Sequence, residues 1–161
     1  MIFEDIKKSL DQQFPDLVLV AGEDPFHFIT IALNKWSRLA RFLHNNKDLK
    51  FDSLHCITGI DNGPENCLEV RYNLFSMTHR HWLEVRIELD RTDPRLPSVE
   101  QIWRTADWLE RETYDMYGII FEGHRDLRRI LLEDDWEGWP LRKDYITPEF
   151  YREMPVPKDK I

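Results

Sequence analysis

A chain of 161 residues with 42% hydrophobic and 12% aromatic residues suits one domain with a real core, which excludes disorder throughout. A formal net charge of −8 argues against nucleic acid as the main partner, because phosphate binding needs a basic stripe. Cys56 and Cys67 fit a reducing compartment and are too few for a cubane cluster, which needs four thiolates.

The first predicted element is a helix over Ile2–Phe14, with Ile2, Ile6 and Leu10 at helical spacing and Pro15 as its stop. This stretch is amphipathic and acidic, which argues against a secretory signal or transit peptide. Asp16–Ala21 and Phe26–Leu33 read as short strands joined by the turn-rich Gly22–Pro25. Helical spacing returns over Lys35–Asn46 through Trp36, Leu39, Ala40 and Leu43. Phe51–Asp61 is a further strand, turned by Asp61-Asn62-Gly63-Pro64. The clearest β signal follows. Leu68, Val70, Tyr72 and Leu74 alternate with polar residues, as do Leu83, Val85, Ile87 and Leu89, and the short connection around Met77–His81 makes them an antiparallel hairpin. The longest apolar runs, Leu17–Ala21 and Phe28–Leu33, fall short of the roughly 20 residues a spanning helix needs, so membrane association is expected only through a partner.

Ser98 and Gln101 form a capping-box signature that predicts a helix over Val99–Tyr117, roughly 28 Å long, with Gly118 as its stop. After Gly118 the periodicity fails. Leu127–Leu132 could hold a short turn of helix, and Pro148, Pro155 and Pro157 suggest an extended tail. The expectation is α+β: a small antiparallel sheet with helices on one face over residues 1–122, then an extended arm over 123–161 that docks on a partner.

Residues 103–145 mix large aromatics, single glycines and charges of both signs more densely than a solvated face requires. Between His124 and Tyr145 five Arg/Lys stand against six Asp/Glu, a near balance that points to ion pairing. Asp107, Arg111 and Asp115 form an acid–base–acid ladder at i, i+4 spacing. Glu112 and Asp115, one turn apart, repel unless a cation joins them, and Arg128, Arg129 and Arg142 are the candidates. Arg- and Trp-rich mixed surface of this kind is what permanent protein–protein joints favour.

The runs Glu110-Arg111-Glu112, Asp115-Met116-Tyr117-Gly118, His124, Leu127-Arg128-Arg129-Ile130-Leu131 and Gly138-Trp139-Pro140-Leu141-Arg142-Lys143-Asp144-Tyr145 carry a family resemblance. They resemble the signature of the 30 kDa-type hydrophilic subunit (the C subunit) of complex I, the proton-translocating NADH–quinone oxidoreductase. The tail Pro148-Glu149-Phe150-Tyr151 is similar to the J subunit of the photosynthetic relative. Arg125 and Trp139 depart from the family's frequent Pro and His at those places.

The resemblance implies a structural subunit that binds no cofactor itself, with FMN, iron–sulfur clusters and quinone held by other subunits. It implies docking on the subunit resembling a hydrogenase large subunit, near the quinone site. The complex would be attached to the cytoplasmic side of the inner or plasma membrane. Interface residues would be Glu110, Arg111, Glu112, Asp115, Gly118, His124, Arg128, Arg129, Trp136, Trp139, Pro140, Arg142, Lys143, Asp144 and Tyr145, with Trp136, Trp139 and Tyr145 as apolar anchors. An equivalent subunit of a ferredoxin-linked complex or a membrane-bound hydrogenase would carry a closely related sequence.

Rival readings of the same residues are chemical. Glu112, Asp115 and His124 could form a carboxylate–imidazole hydrolytic metal centre, although Arg128 and Arg129 would weaken cation binding. His124 is better read as a joint residue bonded to backbone or carboxylate. His79 and His81 could share a metal but sit in a turn, where polar residues are expected anyway. Cys56 and His55, as strand neighbours, point to opposite faces.

Overall fold

The computed structural model describes residues 3–15, 20–23, 27–65 and 67–156. Its elements in chain order are helix α1 (Phe3–Gln13), strands β1 (Val20–Glu23) and β2 (His27–Ile31), a 3-10 turn at Leu33–Lys35, and helix α2 (Trp36–Asn45). Strands β3 (Ser53–Asp61), β4 (Leu68–Phe75) and β5 (Trp82–Leu89) follow, then β6 (Arg95–Pro97), helix α3 (Ala106–Tyr117) and β7 (Ile120–Glu122). A two-stranded hairpin, β8 (Phe150–Tyr151) and β9 (Met154–Pro155), lies in the tail. Ile2 of the first predicted helix, residues 16–19 of the first predicted strand, 24–25 of the turn after it, Phe26 of the second strand and Pro157 of the tail lie outside the described residues.

The main sheet has five strands in the order β1-β2-β5-β4-β3. All pairs are antiparallel except β2 with β5, which is parallel. The hairpin register sets Leu68 opposite Leu89, Val70 opposite Ile87, Tyr72 opposite Val85 and Leu74 opposite Leu83. One set of alternate side chains therefore forms a continuous apolar face, and all eight are buried. Helices cover that face. Ile6 and Leu10 of α1 are buried, and Phe14, just past its end, meets Phe42 of α2 edge-on at 5.1 Å. Trp36, fully buried, packs against the Tyr72 ring at a tilt, 4.3 Å between centroids. The opposite face carries Glu69, Arg71, Asn73, Glu84 and Arg86, tied to one another by side-chain bonds such as Asn73 Nδ2 to Glu84 Oε2 at 3.1 Å.

Two predictions about helices fail for a common reason. The long helix begins at Ala106, seven residues later than Val99, and at ~1.5 Å per residue its 12 residues run roughly 18 Å. Ser98 does not cap it. Its hydroxyl donates instead to Glu110 at 2.6 Å and accepts from the Glu100 amide at 3.2 Å, while residues 99–105 turn so that Trp103 can donate from Nε1 to the Phe51 carbonyl at 2.7 Å. Leu127–Leu132 holds no helix either, because its amides are committed to a side chain of α3. The C-terminus of α3 behaves as its sequence dictates. Gly118 adopts φ 69°, and its amide bonds the Tyr114 carbonyl at 2.8 Å.

Helix α3 packs on edge strand β3, and Gly59 permits the approach, since a Cβ there would lie 2.6 Å from the Tyr117 ring. A small parallel pair, β6 with β7, brings the chain back beside Pro97 and launches the next segment along α3.

Candidate functional site

Residues 123–145 run as a strap along α3, from its N-terminal to its C-terminal end. At the start, His124 donates from Nε2 to the Asp107 carbonyl at 3.1 Å and lies 3.4 Å from its carboxylate, while its Nδ1 accepts the Asp126 amide at 3.0 Å. His124 is thus a joint between strap and helix, bonded to both backbone and carboxylate. Its neighbour Glu100 is buried and accepts from Arg125 at 2.7 Å and Arg104 at 2.9 Å. Burial pushes the Glu100 carboxyl up, but Arg125 and the Gln101 amide group more than offset that and hold it below its usual value.

The middle of the strap closes on Asp115, which is fully buried. One of its oxygens accepts three consecutive amides, Ile130, Leu131 and Leu132, at 2.9, 2.7 and 2.9 Å. The other accepts from Arg129 at 2.7 Å. Burial raises this carboxyl, yet the three amides and the guanidinium together hold it below its ordinary value. Arg129 does more than pair. It also donates to the carbonyls of Asp115, Trp136 and Gly138 and stacks over the Trp139 ring at 4.6 Å. Arg111 donates to the carbonyls of Arg128 and Arg129 at 3.3 and 3.2 Å. The ladder expected from i, i+4 spacing is therefore replaced: each of its charges turns to the strap or, for Asp107, also to Arg104. A guanidinium that can satisfy several carbonyls in a partly buried site gains more than it would from an exposed helix pair.

The end of the strap is held by a third carboxylate. Asp61, at the end of β3, accepts two bonds from Arg91 at 2.5 and 2.9 Å and the Lys143 amide at 2.7 Å. Arg91 also reaches Asp144 at 2.6 Å. The Arg91 guanidinium is the main reason that the Asp61 carboxyl lies far below the carboxylate range. Arg142 donates to the Tyr117 carbonyl at 2.7 Å, and the Leu141 amide to that of Met116 at 3.1 Å, so the strap caps the helix terminus. Trp139 sits over Gly118 and edge-on to Tyr114 at 5.3 Å. Trp136 donates to the Tyr145 hydroxyl at 3.0 Å and meets the Tyr151 ring at a tilt, while the Tyr151 hydroxyl donates to Asp135. Pro140 is half-buried beside Trp139 in the chain.

Glu110 differs from its neighbours. It is fully buried, receives Ser98 Oγ at 2.6 Å and the Val99 amide at 2.8 Å, and no arginine reaches it among the described residues. Burial, with the nearby charges of Glu100 and Asp107, pushes its carboxyl up to about 7.

Glu112, Asp115 and His124 do not come together: Glu112 points to solvent, Asp115 is filled by strap donors, and His124 is turned to Asp107. The acidic grouping that does form, Glu100 with Asp107 and His124, already holds Arg104 and Arg125. Among the described residues Arg128 pairs only with exposed Asp126. Sequence reasoning missed Asp61, Arg91 and Glu100. Asp61 stood in a turn motif, which gave no sign of a distant partner, and it does also accept the Gly63 amide at 2.8 Å. Nothing local marks Arg91, whose partners lie 30 and 53 residues away.

The chain matches the family described as "Respiratory-chain NADH dehydrogenase, 30 Kd subunit" over residues 29–151. It is 46% identical over 153 residues to the C subunit of NADH-quinone oxidoreductase from Chloroherpeton thalassium, covering 93% of this chain. It spans 63% of that relative's length. It is 42% identical over 134 residues to the protein of the same name from Chlorobium phaeobacteroides, covering 83% of this chain and 80% of that one. Among solved structures, a trypsin-resistant fragment (1-134) of Nqo5 superposes with a TM-score of 0.63 at 27% identity, over 76% of this chain and 98% of the fragment. A chain of a membrane-bound sulfane sulfur reductase, an archaeal respiratory membrane complex, shares the fold with a TM-score of 0.75 at 24% identity, over 89% of this chain and 85% of that one. The strap-bearing α+β chain belongs to the 30 kDa subunit family of the respiratory-chain NADH dehydrogenase.

Proposed function

We propose that this chain is a structural, non-redox subunit of a proton-translocating NADH–quinone oxidoreductase, holding the electron-carrying subunits in register. It docks on the subunit resembling a hydrogenase large subunit, near the quinone site, with the complex attached to the cytoplasmic side of the membrane. Flavin, iron–sulfur clusters and quinone belong to its neighbours. Two thiols, Cys56 and Cys67, fall short of the four a cluster needs. No helix among the described residues is long and apolar enough to cross a membrane, which fits attachment through partners.

The observation that carries this reading is where large apolar side chains remain exposed. Of the eight among the described residues, six, Trp108, Leu131, Leu141, Ile146, Phe150 and Met154, lie on α3 or on the strap and its tail, Ile146 being 87% exposed. Exposed apolar side chains gathered on α3 and on the chain that follows it point to an interaction site, and Leu131, Leu141 and Phe150 fall within the runs that carry the family resemblance. The ion pairs of the strap make its backbone rigid, so the apolar side chains are presented without an ordering cost at docking.

The test is purification of the tagged chain from native membranes, with identification of its companions and measurement of NADH–quinone activity after deletion of its gene. Recovery with flavin- and cluster-bearing subunits, and loss of that activity, is expected. Recovery alone from the soluble fraction would overturn the reading, and companions carrying nickel would move it to a hydrogenase-like sister complex.

A further inference from the structure

Of the charges on α3, Asp107, Glu110, Arg111 and Asp115 all have partners within the chain. Glu112 is the exception. It is exposed, and no hydrogen bond or ion pair reaches it among the described residues. Trp108, one turn earlier on the same face, is 62% exposed, and Leu131 is 61% exposed while its amide is fixed to Asp115, one turn beyond Glu112. Arg111 links these pieces, lying 5.3 Å over the Trp108 ring while its guanidinium holds the strap carbonyls. An exposed indole, an exposed leucine and an unpartnered carboxylate are thus set on backbone that cannot readily rearrange.

We propose that Trp108, Glu112 and Leu131 form the anchor of the docking surface, and that they engage a protein partner offering an apolar pocket with an arginine or lysine at its rim. The inference rests on the docking reading above and names its centre. Charge decides the occupant. The strap cation Arg128 is engaged with Asp126 at 3.0 Å and Glu133 lies 3.8 Å from Arg152, whereas Glu112 and exposed Asp134 have no counter-ion among the described residues. With the exposed arginines Arg104, Arg125 and Arg128 each paired to an acid, the charge left over is negative, which disfavours anionic lipid and nucleic acid and favours a cationic protein surface. Tryptophan is the residue type that most often dominates such interfaces when it enters a pocket. The signature acids and arginines around the patch then act as positioning residues for it.

The test uses tagged full-length chain expressed in place of the native subunit, with its share of the membrane complex measured by quantitative blotting. Glu112→Arg and Trp108→Ala should each lower incorporation at least about tenfold, a change of ~1.4 kcal/mol. Trp82→Ala, which removes a tryptophan 51% exposed on the sheet's other face, should leave it unchanged. A photo-crosslinker at position 131 should label a partner segment bearing a basic residue, and reversing that residue's charge should restore the Glu112→Arg variant. Wild-type incorporation of both α3 variants would overturn the anchor while leaving the docking reading intact. Absence of the unmodified chain from any membrane complex would overturn both. Unfolding of purified Glu112→Arg would also count against the anchor, because an exposed residue without partners has no structural role to lose.

Discussion

Asp115 and Arg129 stand fourteen residues apart and meet at 2.7 Å, with the amides of residues 130–132 folded around the same carboxylate. The segment that would otherwise be an irregular loop becomes a fixed strap because one buried anion collects four donors. Asp115→Asn keeps the shape but replaces the anion and turns an NH2 towards groups that also donate. Leaving Arg129 and the strap amides without their anion should cost about 3–5 kcal/mol, the range for breaking a buried pair from one side. Urea unfolding followed by tryptophan fluorescence measures it, and a loss under about 1 kcal/mol would show that the clasp is not formed in solution.

That clasp also shows what the sequence could and could not reveal. Strict alternation at Leu68–Leu74 and Leu83–Leu89 located the central hairpin, because a two-residue period fixes which face is buried whatever surrounds it. Gly118 located the end of α3 through its need for positive φ. Ser98 misled, since a capping box is a local rule and its hydroxyl was captured by Glu110, twelve residues away. The pairing of strap ions followed the same logic: local spacing suggested Asp107–Arg111–Asp115, whereas burial rewarded partners 14 to 18 residues away. Long-range partners such as Asp61 and Arg91 leave no local trace, and only the fold brings them together.

Removing Arg91 should loosen the far end of the strap without dissolving the sheet. Its guanidinium bridges Asp61 and Asp144, and the Lys143 amide shares the same carboxylate. In Arg91→Ala, limited trypsin digestion should cut after Arg142 or Lys143 several-fold faster than in the parent chain, while far-ultraviolet circular dichroism stays the same. Equal cleavage rates would show that Arg142 and Trp139 hold this end unaided.

Gly118→Ala tests the helix terminus. The residue holds φ 69°, where a side chain is strained, and a Cβ would enter the indole of Trp139. Strain and displacement together should cost about 2 kcal/mol, made of roughly 1 kcal/mol of backbone strain and a similar packing loss. Near-ultraviolet circular dichroism should change as Trp139 leaves Tyr114, and an unchanged spectrum with unchanged stability would refute the packing.

Glu110 gives the chain an unusual dependence on pH. Burial first, and the negative charges of Glu100 and Asp107 with it, raise this carboxyl from 4.5 to about 7 despite the bonds from Ser98 and Val99. Between those two values the native state holds a proton that the unfolded chain has released, so stability falls as pH rises from 4.5 to about 7. The full effect is about 3 kcal/mol at ~1.36 kcal/mol per pH unit. Asp61 and Asp115 act with the opposite sign and at lower pH, because their carboxyls are held below the ordinary value and their contribution is lost only as pH falls through that lowered range. His81 also opposes Glu110. Burial lowers its imidazole below 6.5 and its Nδ1 has no partner among the described residues, so its contribution is lost as pH falls below 6.5. Bulk stability therefore mixes these slopes, and the difference between parent and Glu110→Gln isolates one of them. Glutamine can still accept the Val99 amide from the same place, so the two chains should be nearly equal in urea midpoint at pH 4.5. The variant should become progressively the more stable of the two up to about pH 7, and hold a constant lead above it. A difference that does not vary with pH would mean that Glu110 is ionised in the folded chain throughout, and that its pocket is more polar than the bonds from Ser98 and Val99 make it.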